Sequence, residues 1–169
     1  MNENQLPSNH TFEIQPVRNG RGLVARQAIA PGEHIVELTG RITTVDEVWA
    51  YWETDPQRAA NCVSYDAEFY IDPDGEAVQF ANHSCAPNAG IVREAKNLVL
   101  KACEPILPGQ EITFDYATLS TADDEWEMKC NCGHASCRGT IGTVASIPDD
   151  VYRRYLELGI VPEFVAHTR

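Results

Sequence analysis

The chain has 169 residues, 43% of them hydrophobic, with a formal net charge of −12 and a pI near 4.7. That length closes one compact core and is too short for two. The acidity argues against the basic face that direct nucleic-acid binding needs, and no apolar run approaches the about 18 residues of a membrane span. The opening segment MNENQLPSNH has neither the basic start nor the apolar stretch of a secretory signal. A non-secreted protein is expected, cytoplasmic if the source is bacterial and nuclear if it is eukaryotic.

In chain order, Phe12–Arg18 alternates apolar and polar residues and reads as a strand, followed by the bend Asn19-Gly20 and Gly22. Gly22–Ala28 and His34–Leu38 read as two more strands around a turn at Pro31-Gly32. Thr44–Glu53 is a short helix, with Thr44 as N-cap and Glu47 completing a capping box. Glu68–Ile71 is strand-like, and Asn88–Glu94 with Asn97–Cys103 forms a hairpin. A Pro108-Gly109 turn leads to the strand Glu111–Phe114. Pro148–Leu158 is the clearest helix, with proline in its first turn and Gly159 as its stop. Its Val151, Tyr155 and Leu158 make an apolar stripe, read first as core and alternatively as a dimerisation face that leaves a homodimer open. There is no internal repeat, and the whole reads as one mostly β domain.

Charge is unevenly placed. Between Asp46 and Glu76 there are nine acids and one base, Arg58. Such a stretch attracts a lysine-rich peptide or protein, although acidity also serves solubility.

Six cysteines in a reducing compartment point to metal rather than disulfides where they cluster. Cys130, Cys132 and Cys137 lie in CNCGHASC, and Gly133 lets that backbone turn tightly. Zinc takes four soft or borderline ligands in a tetrahedron, so C-x-C-x4-C supplies three and needs one more. His134 is near in sequence, and Cys85 is the better candidate if its segment folds alongside.

Two further segments stand out, NHSCAPN (82–88) and GQEITFDYA (109–117). Singly, each has an ordinary reading: a polar turn, and a strand end whose aromatics fill the core. In this order and with the cysteine-rich tail, the three segments resemble the SET-domain family of protein lysine methyltransferases with its post-SET zinc segment. The resemblance runs from about Phe12 to Gly142, and Asn19-Gly20-Arg21-Gly22-Leu23, Ser64-Tyr65 and Tyr70-Ile71-Asp72 match further pieces of it.

The resemblance implies a mainly β fold of several small sheets with a C-terminal pseudoknot, short helices and a C-terminal helix. It divides the chain into a SET domain over 12–119, a post-SET segment over 126–142 and a helical extension over 143–169. It implies methyl transfer from S-adenosylmethionine to a lysine of a basic protein, a histone or a histone-like packaging or ribosomal protein. The donor would be held by the main chain at Arg21 and Gly22, by Tyr65, by Asn82 and His83, and by Tyr116. Cys85 would be the fourth ligand beside Cys130, Cys132 and Cys137 on one structural zinc ion.

Methyl transfer is an in-line displacement governed by alignment and desolvation, and the attacking lysine must be neutral. By the resemblance, the Tyr116 hydroxyl orients the amine; an unperturbed tyrosine titrates near about 10 and is no strong base. Phe114 falls at the family's aromatic switch position, where phenylalanine leaves room for a nitrogen already bearing methyl groups. Two positions depart from the family pattern. Leu38-Thr39-Gly40 lacks the channel tyrosine, and Gln79 replaces the arginine that precedes the NHS motif. Both favour the alternative of a zinc-stabilised binding module for basic peptides that retains the scaffold without efficient turnover.

Overall fold

The structure, a computed structural model, describes residues 10–169; the remainder of the polar opening segment lies outside the described residues. Strand β1 (Phe12–Val17) turns back into β2 (Gly20–Ala25) with Phe12 opposite Ala25, which puts the alternating residues of β1 half against the core. The second strand thus begins two residues earlier than the pattern suggests and stops before Arg26. Next come β3 (His34–Glu37) and β4 (Arg41–Thr44), then α1 (Val45–Thr54).

The capping box of α1 is present: the Glu47 amide donates to Thr44 Oγ1 and the Thr44 amide donates to Glu47 Oε2. These bonds satisfy donors that would otherwise be orphaned at the helix start, a contribution of about 1 kcal/mol. Helix α1 buries only Val48, leaving Trp49 66% exposed on its outer face. A second short helix, α2 (Pro56–Asn61), starts at a proline behind the Asp55 N-cap. Strands β5 (Val63–Ser64) and β6 (Phe69–Asp72) follow, then β7 (Asn82–His83), the hairpin β8 (Ala89–Glu94) and β9 (Asn97–Ala102), and β10 (Glu111–Phe114).

Small sheets rather than one large one organise the chain. Three have orders β1-β2-β10-β7, β3-β9-β8 and β4-β6-β5. Strand β10 lies between β2, to which it is antiparallel, and β7, to which it is parallel, with Thr113 opposite Asn82 and Phe114 opposite His83. This one register places two distant motifs side by side. Leu23, Ile91, Leu98, Leu100, Ile106 and Ile112 are fully buried in the shared core beneath them.

The C-terminal part adds a two-stranded ribbon, β11 (Met128–Lys129) with β12 (Thr140–Ile141), and the helices α3 (Asp149–Glu157) and α4 (Glu163–Ala166). Helix α3 begins one residue later than expected, with Pro148 as its N-cap rather than in its first turn, and Gly159 ends it with φ +68°. The predicted stripe is corrected at one residue. Val151 and Tyr155 pack inward, whereas Leu158 caps the helix and is exposed; Ile160, Val161 and Val165 complete the apolar cluster instead. Ile160 sits directly against Gly90 of β8, where a Cβ would come within 2.3 Å of it. No helix among the described residues is long and apolar enough to cross a membrane.

Candidate active site and metal centre

At Gly22 the chain passes so close to its neighbours that a Cβ would lie 2.5 Å from Glu111 Oε1 and 3.0 Å from Asn82 Nδ2. Glycine is therefore what allows these side chains to occupy the space beside β2. The Asn82 amide nitrogen donates to the Arg21 carbonyl at 3.0 Å and to Glu111 Oε1 at 2.8 Å. Its oxygen accepts no hydrogen bond from the described residues, so an acceptor and a carboxylate stand together at a half-buried spot. Arg21 lays its guanidinium over the Phe80 ring, 5.1 Å from the centroid. Arg21, Gly22 and Asn82 are thus brought together, joined by Glu111, which the sequence reading passed over within GQEITF.

The parallel pairing of β7 with β10 builds the next group. His83 Nδ1 accepts the Tyr116 amide at 3.2 Å, so its proton belongs on Nε2, which faces Cys85 Sγ at 3.3 Å. Burial holds this imidazole well below its ordinary value, at about 4; the Asp115 carboxylate pulls the other way and Arg138 reinforces the drop. The Tyr116 ring meets His83 at 5.4 Å and Phe114 at 4.8 Å between centroids. Its hydroxyl donates to the Ala81 carbonyl at 3.0 Å, and burial raises its pKa, so the phenol stays protonated at neutral pH. The oxygen therefore offers lone pairs, not a base.

Asp115, between those two aromatics, is 1% exposed. Its carboxylate accepts two N–H groups of Arg138, the Tyr155 hydroxyl and the Ala117 amide. The sequence signal for Arg138 was its place directly after Cys137; nothing in the pattern pointed from Tyr155 to Asp115.

Tyr65 stands apart from the other candidates in its polar contacts. Its hydroxyl donates to the Lys96 carbonyl at 2.7 Å, Arg93 stacks 4.4 Å over its ring, and Arg93 also donates to its carbonyl. It lines a cleft of about 320 Å³ together with Leu38, Thr39, Gly40 and Ile71. Leu38, at the position of the missing channel tyrosine, is a buried core residue there. Gln79 is half-buried and bonds the Glu76 carbonyl.

The sulfur atoms of Cys85, Cys130, Cys132 and Cys137 all lie within 4.8 Å of one another, with Cys85 and Cys130 at 3.6 Å. Tetrahedral zinc with Zn–S near about 2.3 Å sets sulfurs about 3.8 Å apart, so the four can hold the ion. His134 is turned outward, its Nδ1 engaged by the hydroxyl and amide of Ser136. Of the two candidates for the fourth place, the fold brings Cys85.

Comparison with known proteins follows the same lines. A family model of the SET domain matches residues 20–117. The chain is 34% identical over 134 residues to histone-lysine N-methyltransferase Set2 of Drosophila melanogaster, covering 74% of this chain and 6% of that protein. It is 32% identical over 137 residues to an H3 lysine-4 specific histone-lysine N-methyltransferase of Mycosarcoma maydis, covering 75% and 9%. The chain therefore spans a small fraction of these relatives' length. The methyltransferase domain of human SETMAR superposes with a TM-score of 0.63 at 23% identity, over 78% of this chain and 58% of the other, a likeness of fold. On the matched span, which exceeds half of the sequence, the chain belongs to the SET-domain family.

Proposed function

We propose that the chain is an S-adenosylmethionine-dependent protein-lysine methyltransferase acting on a basic, histone-like protein, with one structural zinc ion. The observation that carries this reading is the β7–β10 pairing, which bonds the Tyr116 amide to His83 and sets the neighbouring Asn82 against Glu111 and Arg21. When bound, the donor supplies an electrophilic methyl group on a sulfonium. Asn82 Oδ1 and the Glu111 carboxylate suit its ammonium end, and the main chain at Arg21 and Gly22 would border it. Tyr65, held by Lys96 and Arg93, would contribute an aromatic wall.

Tyr116 positions the attacking amine through its oxygen, since its own proton is committed to Ala81. Phe114 shapes the space beside it and leaves room for a nitrogen that already carries methyl groups. Neither residue removes a proton, so the lysine must arrive neutral or lose its proton to water; burial favours that form. Cys85, Cys130, Cys132 and Cys137 would hold the zinc and fasten the tail to the segment that contains His83. On this reading 12–119 is the catalytic unit, 126–142 the zinc segment and 143–169 an extension packed behind it.

Calorimetric titration with S-adenosylmethionine, followed by radiolabelled methyl transfer onto mixed basic proteins, tests the proposal. Donor binding with transfer to lysine is expected. Tight binding of basic peptide without transfer would instead favour the binding-module reading, which the buried Leu38 and the placement of Gln79 support.

A further inference from the structure

We infer that the C-terminal extension is a working part of the active site, with Tyr155 as a positioning residue that acts through Asp115 on Tyr116. This rests on the methyltransferase reading and goes beyond it, because α3 lies outside the span matched by the SET family model.

Tyr155 is 4% exposed and donates its hydroxyl to Asp115 Oδ2 at 3.1 Å. Asp115 immediately precedes Tyr116 and turns the chain there: its Oδ1 accepts the Ala117 amide, and its carbonyl accepts from the amide and hydroxyl of Thr118. The direction of the Tyr116 side chain therefore depends on where this carboxylate is held. Two side chains hold it from two parts of the chain, Arg138 from the zinc segment and Tyr155 from α3. His83 Nδ1 lies 3.5 Å from Oδ1 but is itself an acceptor, of the Tyr116 amide.

Arg138 alone would fix the carboxylate in the plane of its guanidinium. Tyr155 adds a contact from another element and removes the remaining freedom. Helix α3 is itself firmly placed. Ala117 is fully buried in the same apolar cluster as Tyr155, Ile160 fills the space over Gly90, and Thr168 Oγ1 accepts the Ala122 amide. An anchor this specific, aimed at the residue beside the proposed reacting tyrosine, is more than packing requires.

The test compares Tyr155→Phe, which removes one hydroxyl, with Ile160→Ala, which loosens the same cluster without touching Asp115. Steady-state kinetics, zinc content, thermal midpoint and amide exchange at Tyr116 and Ala117 are measured on the full chain. Tyr155→Phe is expected to lower kcat about tenfold, a displacement smaller than the ~1 Å that costs 10²-fold, with KM for both substrates and zinc content unchanged. Its Tyr116 and Ala117 amides should exchange faster than in the wild type. Ile160→Ala should lower the thermal midpoint at least as far while keeping kcat within about twofold at a temperature where it is fully folded. Wild-type kcat and wild-type exchange in Tyr155→Phe would overturn the inference, as would kcat losses that merely follow the thermal midpoint in both variants. If the wild type transfers no methyl group, the functional reading fails, and the exchange rates alone decide whether Tyr155 positions this turn.

Discussion

The guanidinium of Arg138 grips both carboxylate oxygens of Asp115, Nη1 to Oδ2 at 2.6 Å and Nη2 to Oδ1 at 2.7 Å. Asp115 is buried and the Arg138 side chain only 12% exposed, so water can do little for either charge. Arg138→Met leaves an uncompensated carboxylate and should cost about 3–5 kcal/mol. For a chain of this size that is a drop of roughly 10 °C in thermal midpoint. Arg138→Lys loses the paired geometry and should recover only part of it. Differential scanning calorimetry at neutral pH would show both; a midpoint unchanged in Arg138→Met would mean the pair contributes nothing net.

Metal content follows from the four sulfurs. Purified protein should carry about one zinc per chain, the number a tetrahedral four-thiolate site holds. Cys85→Ser should lower the zinc content and loosen the tail, whereas His134→Ala should leave it unchanged, since that imidazole is bonded to Ser136. Elemental analysis decides, and the reverse pattern would reassign the fourth ligand.

Tyr116→Phe removes the hydroxyl that bonds the Ala81 carbonyl and changes little in volume. Donor binding should survive while turnover falls about 10²-fold or more, the range for one positioned polar group. Phe114→Tyr should spare the first methylation and suppress later ones by filling the space beside the nitrogen. Mass spectrometry of a methylated substrate reads both, and near-normal turnover by Tyr116→Phe would remove that hydroxyl from the chemistry.

His83 is buried neutral with a folded-state pKa of about 4 against an ordinary value of 6.5. The unfolded chain binds the proton more readily, so this residue's contribution is complete above about pH 6.5 and is lost as pH falls toward about 4. Nuclear magnetic resonance of the His83 ring should show no titration between about pH 8 and pH 5, while unfolding free energy declines over the lower part of that range. A ring midpoint near the ordinary value would refute it.

Among the acids between Asp46 and Glu76, Glu47 is paired with Arg41, and Asp72 and Asp74 share Arg58. Asp46, Glu53, Glu68 and Glu76 make no ion pair among the described residues and are exposed. If they steer a basic substrate, kcat/KM should fall severalfold between about 0.05 and 0.2 M salt, as screening shortens their reach. Kinetics at two ionic strengths measure this; a flat response returns them to a role in solubility.

Local signals carried much of this. The Thr44–Glu47 capping box, the Gly159 stop and the alternation in β1 depend on neighbours a few residues away, and each stands close to where the pattern puts it. Three cysteines in eight residues make a candidate metal site on chemistry alone. The short strand β7 and the helix α2 went unread because elements of two and six residues are too short for a hydrophobic period to repeat recognisably. What the tertiary structure decided is partnership over long separations. Cys85 rather than His134 joins the thiol cluster, Glu111 reaches Asn82 beneath Gly22, and Tyr65 commits to Lys96 and Arg93. The bond from Tyr155 to Asp115 spans 40 residues. The Glu111–Asn82 and Tyr155–Asp115 pairs follow from the parallel register of β7 on β10 and the docking of α3 behind it, which are set by mutual burial across the chain and leave no mark in any local window.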